Sequence, residues 1–226
     1  ALMRQAQSVK KGVKQFGGTP REFCTITVTD GIAMGHEGMK SSLISREIIA
    51  DSAELTVRGH CYDALVGIAG CDKSLPGLMM SMLRLNVPSV FIYGGSILPG
   101  KYKGKDVTVV DVFEAVGKHS SGKMSLDELR ELELVACPSA GACGGQFTAN
   151  TMACVSEAIG LALPYSAGTP APYEERDKYA FESGQTVMNL LEKNIRPRDI
   201  VTKKSLENAA TIVAATGGST NAALHL

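Results

Sequence analysis

The sequence predicts an α/β protein in which helices cover both faces of a largely parallel sheet, a three-layer arrangement. Short apolar runs rich in β-branched residues end in Gly and polar residues, and they alternate with segments that carry apolar residues at helical spacing. The 24 glycines and the aromatic content of only 5% suit a fold with many Gly-rich turns at strand ends. In such folds the loops after the strands' carboxyl ends carry the chemistry.

Composition excludes several classes of function. The 226 residues are 44% hydrophobic, and 23 basic residues balance 23 acidic ones without a block of like charge. Nucleic acid and membrane are therefore not expected partners. No apolar run approaches the roughly 20 residues of a bilayer span, and the first segment is an amphipathic helix, not a signal peptide. Six scattered cysteines predict free thiols in a reducing, cytoplasmic compartment, or in an organelle if the source is eukaryotic.

The first half of the chain contains the predicted sheet. A helix ends near residue 16, where Gly17-Gly18-Thr19-Pro20 stops it. The alternating residues of FCTITVTD predict a strand over 23–30 that delivers Asp30 to its end. A helix over 41–60 follows. The run 64–73, a helix over 76–85 and the run 89–95 then form one βαβ-like unit.

The second half is predicted to be mainly helical. A Gly, Pro and Lys-rich loop over 96–106 precedes a helix over 107–118, and Ser125 and Glu128 have the spacing of a capping box before a helix over 125–135. A Gly-rich loop then leads into a helix that Pro164 stops. Helices over 174–193 and 203–215 follow. The last residues resemble the first turns of another helix, so we expect a longer natural chain.

Cys71, Asp72 and Lys73 place a soft ligand, a hard ligand and an amine in adjacent positions after a predicted strand. A thiolate binds soft or borderline metals, whereas a carboxylate prefers Mg²⁺ or Mn²⁺, so one turn could serve two metal centres. The alternative is a buried cysteine beside a surface ion pair, and the tripeptide alone favours that alternative.

Cys143 lies among small residues in GACGG, immediately before a predicted helix. Helix N-terminal amides favour an anion, so this setting predicts a lowered thiol pKa. A Gly-rich turn with an incidental cysteine is an equally good interpretation. However, Cys71 and Cys143 both lie in Gly-rich loops between a strand and a helix, so the two thiols could meet at one end of the sheet.

Asp30 is followed by turns that contain His36 and Glu37, which fits either a hard metal or simple capping. GGSTN (217–221) could bind an anion through its amides or cap a helix through Ser219 or Thr220. No dinucleotide or P-loop motif is present. His60 and His119 are interpreted as structural or exposed. The remaining cysteines are interpreted as small core residues: Cys24, Cys61, Cys137 and Cys154.

Five ordered motifs carry a resemblance that covers essentially the whole chain: TDGIAMGHEGM, GCDKSLPG, FIYGGSILPG, GACGGQFTANTM and ATGGSTNAALHL. They resemble the dihydroxy-acid dehydratase branch of a family that also includes 6-phosphogluconate and aldonic-acid dehydratases. The resemblance implies a hydro-lyase that converts 2,3-dihydroxy-3-methyl acids into 2-oxo acids for valine and isoleucine synthesis. A sugar-acid dehydratase acting on 6-phosphogluconate or an aldonate is the alternative.

The resemblance also implies a ligand set. Cys71 and Cys143 match iron–sulfur cluster cysteines, with 2Fe-2S expected more than 4Fe-4S, and Asp30 and Asp72 match Mg²⁺ ligands. Lys73 matches a catalytic lysine that binds Mg²⁺ as its carbamate. In such enzymes the cluster acts as a Lewis acid.

Other family features fall outside this sequence. A third cluster cysteine is expected just before the first helix, and a further Mg²⁺-binding glutamate, a serine base and a β-rich domain beyond residue 226. Residues 1–226 are thus expected to be the N-terminal cluster- and Mg²⁺-binding domain of a longer chain. We expect that chain to form a homodimer and this segment alone to be inactive.

Overall fold

The computed structural model describes all residues 1–226 and confirms the α/β class. Its elements follow one another in the order α1 (Leu2–Gln15), α2 (Asp30–Ala33), a 3₁₀-helix (Glu37–Ser41), α3 (Ser42–Gly59), β1 (Leu65–Ala69), α4 (Ser74–Leu85), β2 (Ser89–Tyr93), β3 (Gly100–Tyr102), β4 (Lys105–Val107), α5 (Val109–Ser120), α6 (Leu126–Ala136), α7 (Thr148–Ala158), α8 (Glu175–Lys193), α9 (Pro197–Ile200), α10 (Lys203–Ala215) and α11 (Ala222–His225). None of the helices combines the length and hydropathy needed to span a bilayer.

The predicted βαβ unit is present and forms the centre of the molecule. Strands β1 and β2 are parallel, with Leu65 opposite Ser89 and Ala69 opposite Tyr93, and α4 connects them. A single parallel bridge from Phe91 to Ala162 extends the pairing by one position. The parallel sheet is therefore small, and most of the chain around it is helical.

Helices cover both faces of this sheet. α1 and α8 pack against each other and against β1 and β2 on one side, whereas α4 lies on the other side with α3 and α7 beyond it. The larger core lies on the α4 side, where Ile49, Leu75 and Phe91 are fully buried. Tyr93, the last residue of β2, is also fully buried. This packing fixes the carboxyl ends of β1 and β2 and hence the loops that follow them.

The hairpin of β3 and β4 differs from the predicted loop over 96–106. The two strands are antiparallel and pack with α5 and α6 around a separate small core that includes Val107 and Leu132. Only three residues lie in each strand, so the pattern is too short to reveal period-two alternation. The predicted capping box of Ser125 and Glu128 is confirmed.

The predicted strand over 23–30 is wrong. Residues 18–29 have no regular secondary structure, and Asp30 begins the short helix α2. Alternation of burial holds only over residues 22–26, where Phe23 and Thr25 are partly buried while Cys24 is exposed. A strand also requires a neighbouring backbone to pair with, and this extended segment has none. The helix that Pro164 was expected to stop ends earlier, at Ala158.

Candidate active site

Cys71, Asp72 and Lys73 form the turn between β1 and α4, at the carboxyl end of the sheet. The backbone amides of Ser74 and Leu75 donate to the Cys71 carbonyl over 3.0 and 3.2 Å, and the Cys71 amide donates to Ser74 Oγ over 3.1 Å. Lys73 is the N-cap residue of α4. This compact turn holds three chemically different side chains in fixed directions.

A buried ion pair joins this turn to the residue that begins α2. Lys73 Nζ donates to Asp30 Oδ2 over 2.8 Å, and each residue is only 3% exposed. The Ser42 hydroxyl, at the start of α3, donates to the other oxygen of Asp30. Burial acts to raise the pKa of Asp30, but the hydrogen bonds from Lys73 and Ser42 outweigh it and the pKa is lowered. Asp30 is therefore an ionised carboxylate inside the protein.

A second carboxyl group lies on the same ammonium. Asp72 Oδ2 is 4.0 Å from Lys73 Nζ. Burial, together with the negative charge of Asp30, raises the pKa of Asp72 to about 6, and a hydrogen bond from Thr148 opposes this only in part. Two carboxyl groups thus share one cation, which is the electrostatic situation that an added metal ion would relieve.

Cys71 and Cys143 are both partly buried. Their loops approach the same end of the sheet, where a Cβ atom placed on Gly70 would lie 3.5 Å from Ala142 Cβ. Burial raises the pKa of both thiols, that of Cys143 to about 11. The amides of Ala149 and Asn150 at the start of α7 act in the opposite direction, as the sequence predicted, but desolvation is larger. The predicted lowering of the Cys143 pKa is therefore wrong for the metal-free protein. A bound metal would be needed to hold both groups as thiolates.

Some residues that the sequence singled out lie outside this site. His36 Nε2 is 2.8 Å from the Ile32 carbonyl oxygen, and the exposed Glu37 pairs with Lys40. Neither adds a ligand to Asp30, and no three His, Cys, Asp or Glu side chains converge closely enough to hold a metal ion by themselves. Three of the cysteines interpreted as core residues are exposed: Cys24, Cys61 and Cys137.

Thr148 is a site residue that sequence reasoning missed. It is 3% exposed, and its Oγ1 accepts from Asn221 Nδ2 over 2.9 Å and lies 2.9 Å from Ser219 Oγ. Ser219 Oγ also accepts from the Asn221 amide, as in a cap. GGSTN thus packs on Thr148, the residue that contacts Asp72. Thr148 lies within the motif GACGGQFTANTM, but a threonine at a helix start does not by itself indicate a contact with Asp72.

His225, close to the end of the sequence, faces the same region. Its Nδ1 is 3.0 Å from an Arg46 Nη1, and its Nε2 is buried without a hydrogen-bond partner. Burial, Lys73 and Arg46 lower its pKa to about 4, so the ring is neutral at physiological pH.

The start of α1 borders the Cys71 loop. A Cβ atom placed on Gly94 would lie 2.5 Å from Leu2 Cδ2, and one on Gly70 would lie 3.9 Å from the same atom. A cavity of about 870 Å³, lined mainly by apolar residues, extends from Cys71 along α1 and the segment 18–29. The side chain of Leu2 thus packs closely against Gly94 and lies at ordinary van der Waals distance from Gly70.

Comparison with known proteins supplies the family. The sequence profile described as dihydroxy-acid/6-phosphogluconate dehydratase N-terminal matches residues 1–226. The chain belongs to this family. Proteins named dihydroxy-acid dehydratase from Pelagibacter ubique, Parvibaculum lavamentivorans and Sulfurisphaera tokodaii are 92%, 82% and 55% identical to it, over 100% of this chain in each case. The chain covers 40%, 39% and 40% of those relatives, so it spans about 40% of their length.

The donor set fits the two metal groups that the family resemblance implies, but only in part. Asp30, Asp72 and Lys73 meet at one buried point, where two carboxyl groups lie on a single cation. Cys71 and Cys143 provide two thiols at the same end of the sheet. Two thiols and two carboxylates leave coordination positions for ligands from elsewhere.

Proposed function

We propose that the protein containing this chain is a dihydroxy-acid dehydratase. It would remove water from 2,3-dihydroxy-3-methyl acids such as 2,3-dihydroxyisovalerate, giving 2-oxo acids for valine and isoleucine synthesis. The observation that carries the proposal is the meeting of Asp30, Asp72 and Lys73 beside Cys71, in a chain that is 92% identical to a protein of that name. Loss of the C2 proton and the C3 hydroxyl gives an enol, which becomes the 2-oxo acid.

In this proposal Asp30 and Asp72 bind Mg²⁺, and Lys73 joins them as its carbamate. The carbamate would form when the deprotonated amine of Lys73 adds carbon dioxide and releases one proton. It would replace the ammonium beside Asp30 by an anionic oxygen ligand. Ser42 orients one oxygen of Asp30, and Thr148 orients Asp72. Burial of these side chains excludes water, which strengthens their interaction with a cation.

Cys71 and Cys143 bind the iron–sulfur cluster in the same proposal, 2Fe-2S rather than 4Fe-4S. The family resemblance implies a third cysteine ligand just before the first helix. Such a residue would lie near the Cys71 loop, because Leu2 is beside Gly70 and Gly94. When bound, the cluster would supply a Lewis acid for the leaving hydroxyl, and Mg²⁺ would supply a positive charge for the carboxylate and C2 oxygen. The proposal also includes a homodimer in the cytoplasm.

The ligand assignment is tested in the full-length protein, purified without oxygen and reconstituted with iron and sulfide. We expect Cys71→Ser and Cys143→Ser each to abolish the visible absorption of the cluster. Cys24→Ser is the matched control, because Cys24 is an exposed thiol, and it should leave the spectrum unchanged. Retention of the full spectrum in both site variants would refute the assignment of Cys71 and Cys143 as cluster ligands.

The substrate is tested on the same preparation with a panel of acids. Turnover of 2,3-dihydroxyisovalerate well above that of 6-phosphogluconate and a pentonate is the expected result. The family description includes both branches, so the sugar-acid dehydratase is the alternative. Preferential turnover of either sugar acid would replace the proposed substrate by that alternative.

A further inference from the structure

The loop that carries Cys143 has an unfavourable backbone conformation at the cysteine itself. Cys143 has a φ of +60°, in the left-handed region that residues other than Gly rarely adopt. Two backbone hydrogen bonds oppose relaxation: the Ala142 amide donates to the Gly95 carbonyl over 2.9 Å, and the Ile97 amide donates to the Cys143 carbonyl over 3.1 Å. Such a conformation persists only where the surroundings determine it.

Two side chains restrain the same loop from the protein interior. The hydroxyl of the fully buried Tyr93 lies 2.5 Å from both the Ala142 carbonyl oxygen and Asn150 Oδ1, so its single hydrogen faces two acceptors. Asn150 Nδ2 donates to the Gly145 carbonyl. The pair therefore contacts the carbonyl before Cys143 and another one two residues after it.

Both the backbone and the ring of Tyr93 are in contact with Arg176. Tyr93 ends β2, and Arg176 Nη1 donates to its carbonyl over 2.9 Å. The Arg176 guanidinium lies 5.8 Å from the centre of the Tyr93 ring and is fully buried. Burial and the neighbouring Cys143 raise the pKa of the Tyr93 hydroxyl, so it stays a donor.

We propose that Tyr93 and Asn150 are positioning residues for Cys143. They fix the loop 142–145 so that the thiol stays at one place and in one direction, which a cluster ligand requires. Three glycines in this loop region, Gly141, Gly144 and Gly145, would otherwise allow it many conformations. The identity of the ligand rests on the proposed function, whereas the restraint of the loop does not.

The first test uses the metal-free, full-length protein and measures the rate at which iodoacetamide alkylates each cysteine, by mass spectrometry. Tyr93→Phe removes only the hydroxyl, and Asn150→Asp keeps the size but loses the donor to Gly145. We expect each variant to raise the Cys143 rate on the order of 3- to 10-fold, as loss of a net hydrogen bond allows. Tyr102→Phe is the control, since its hydroxyl contacts Glu128 and not this loop.

Cys143 rates equal to wild type in both variants would overturn the positioning role. A rise that Cys71 shares equally would do so too, because it would indicate general loosening instead of a local effect. If Tyr93→Phe does not fold, as circular dichroism would reveal, the rates in Asn150→Asp decide.

The second test separates this inference from the proposed function. After reconstitution with iron and sulfide, a chelator is added and the visible absorption of the cluster is followed over time. The absorption should decrease several-fold faster in Tyr93→Phe than in wild type and Tyr102→Phe. Loss at the wild-type rate would overturn the role in cluster binding. A wild-type protein that takes up no cluster would overturn the proposed function, and the alkylation rates would still decide whether the loop is restrained.

Discussion

At the scale of single residues, the site depends on a small number of buried charges. Lys73 and Asp30 are 2.8 Å apart in a place that water does not reach, and Asp72 is the only other carboxylate in an ion pair with Lys73. A buried pair contributes less to stability than its distance suggests, because both ions lose their hydration. Breaking it is costly, since the remaining charge stays buried.

This argument predicts the effect of neutralising one partner. In the metal-free chain, Asp30→Asn should lower the free energy of unfolding by about 3 kcal/mol, because Lys73 keeps only the more distant Asp72. Urea denaturation followed by circular dichroism measures this. The control is Glu37→Gln, which removes an exposed pair with Lys40 and should change stability by less than about 1 kcal/mol.

A second substitution checks the cause of that loss. Adding Lys73→Met to Asp30→Asn removes the unpaired ammonium and should recover part of the lost stability. If the single variant is as stable as wild type, Asp72 alone neutralises Lys73 and the pair has no structural role.

At the scale of elements, the tight crossing of α1 and α8 determines where the first helix lies. A Cβ atom placed on Gly12 would be 2.1 Å from the Phe181 carbonyl oxygen, and one on Gly184 would be 2.3 Å from that of Val9. Only Gly allows the two backbones to approach so closely. The crossing brings the start of α1 next to Gly70 and Gly94, at the edge of the site.

Gly184→Ala should therefore destabilise the chain by about 1–3 kcal/mol, the usual cost of forcing extra atoms into a packed interface. Gly117→Ala is the matched control, because Gly117 lies in α5 with open space around its Cβ position. It should stabilise the helix by about 0.5–1 kcal/mol. Thermal and urea unfolding measure the stability of the two variants. A change in the same direction in both would refute the idea that the α1–α8 crossing requires Gly184.

At the scale of the whole molecule, residues 1–226 do not by themselves bring together a full set of metal ligands. The chain spans about 40% of the relatives' length, and no three acidic, His or Cys side chains in it converge on one point. The donors in this chain are therefore too few to hold a metal ion by themselves.

We therefore expect residues 1–226 alone to bind Mg²⁺ only at roughly millimolar affinity or weaker, with no turnover of 2,3-dihydroxyisovalerate after anaerobic reconstitution. Isothermal titration and a 2-oxo acid assay measure the two properties. The full-length protein, prepared in parallel, is the positive control. Measurable turnover by the segment would refute the idea that essential ligands lie elsewhere.

Local patterns determined much of the architecture directly. Periodicity identified the βαβ unit and the long helices, and the spacing of Ser125 and Glu128 identified a capping box, because these features depend on neighbours in the sequence. Adjacency alone placed Cys71, Asp72 and Lys73 in one turn. The family and its implied ligands followed from five ordered motifs.

Tertiary structure decided what depends on residues far apart in the chain. FCTITVTD alternates as a strand does but has no partner strand, so it remains an extended segment. Desolvation raises the Cys143 pKa, although its helix amides pull in the other direction, because burial is set by the whole fold. Packing likewise placed Thr148 on Asp72 and Tyr93 under the Cys143 loop. The sequence by itself determined which groups could react, and the packing of distant segments decided which of them meet and in what charge state.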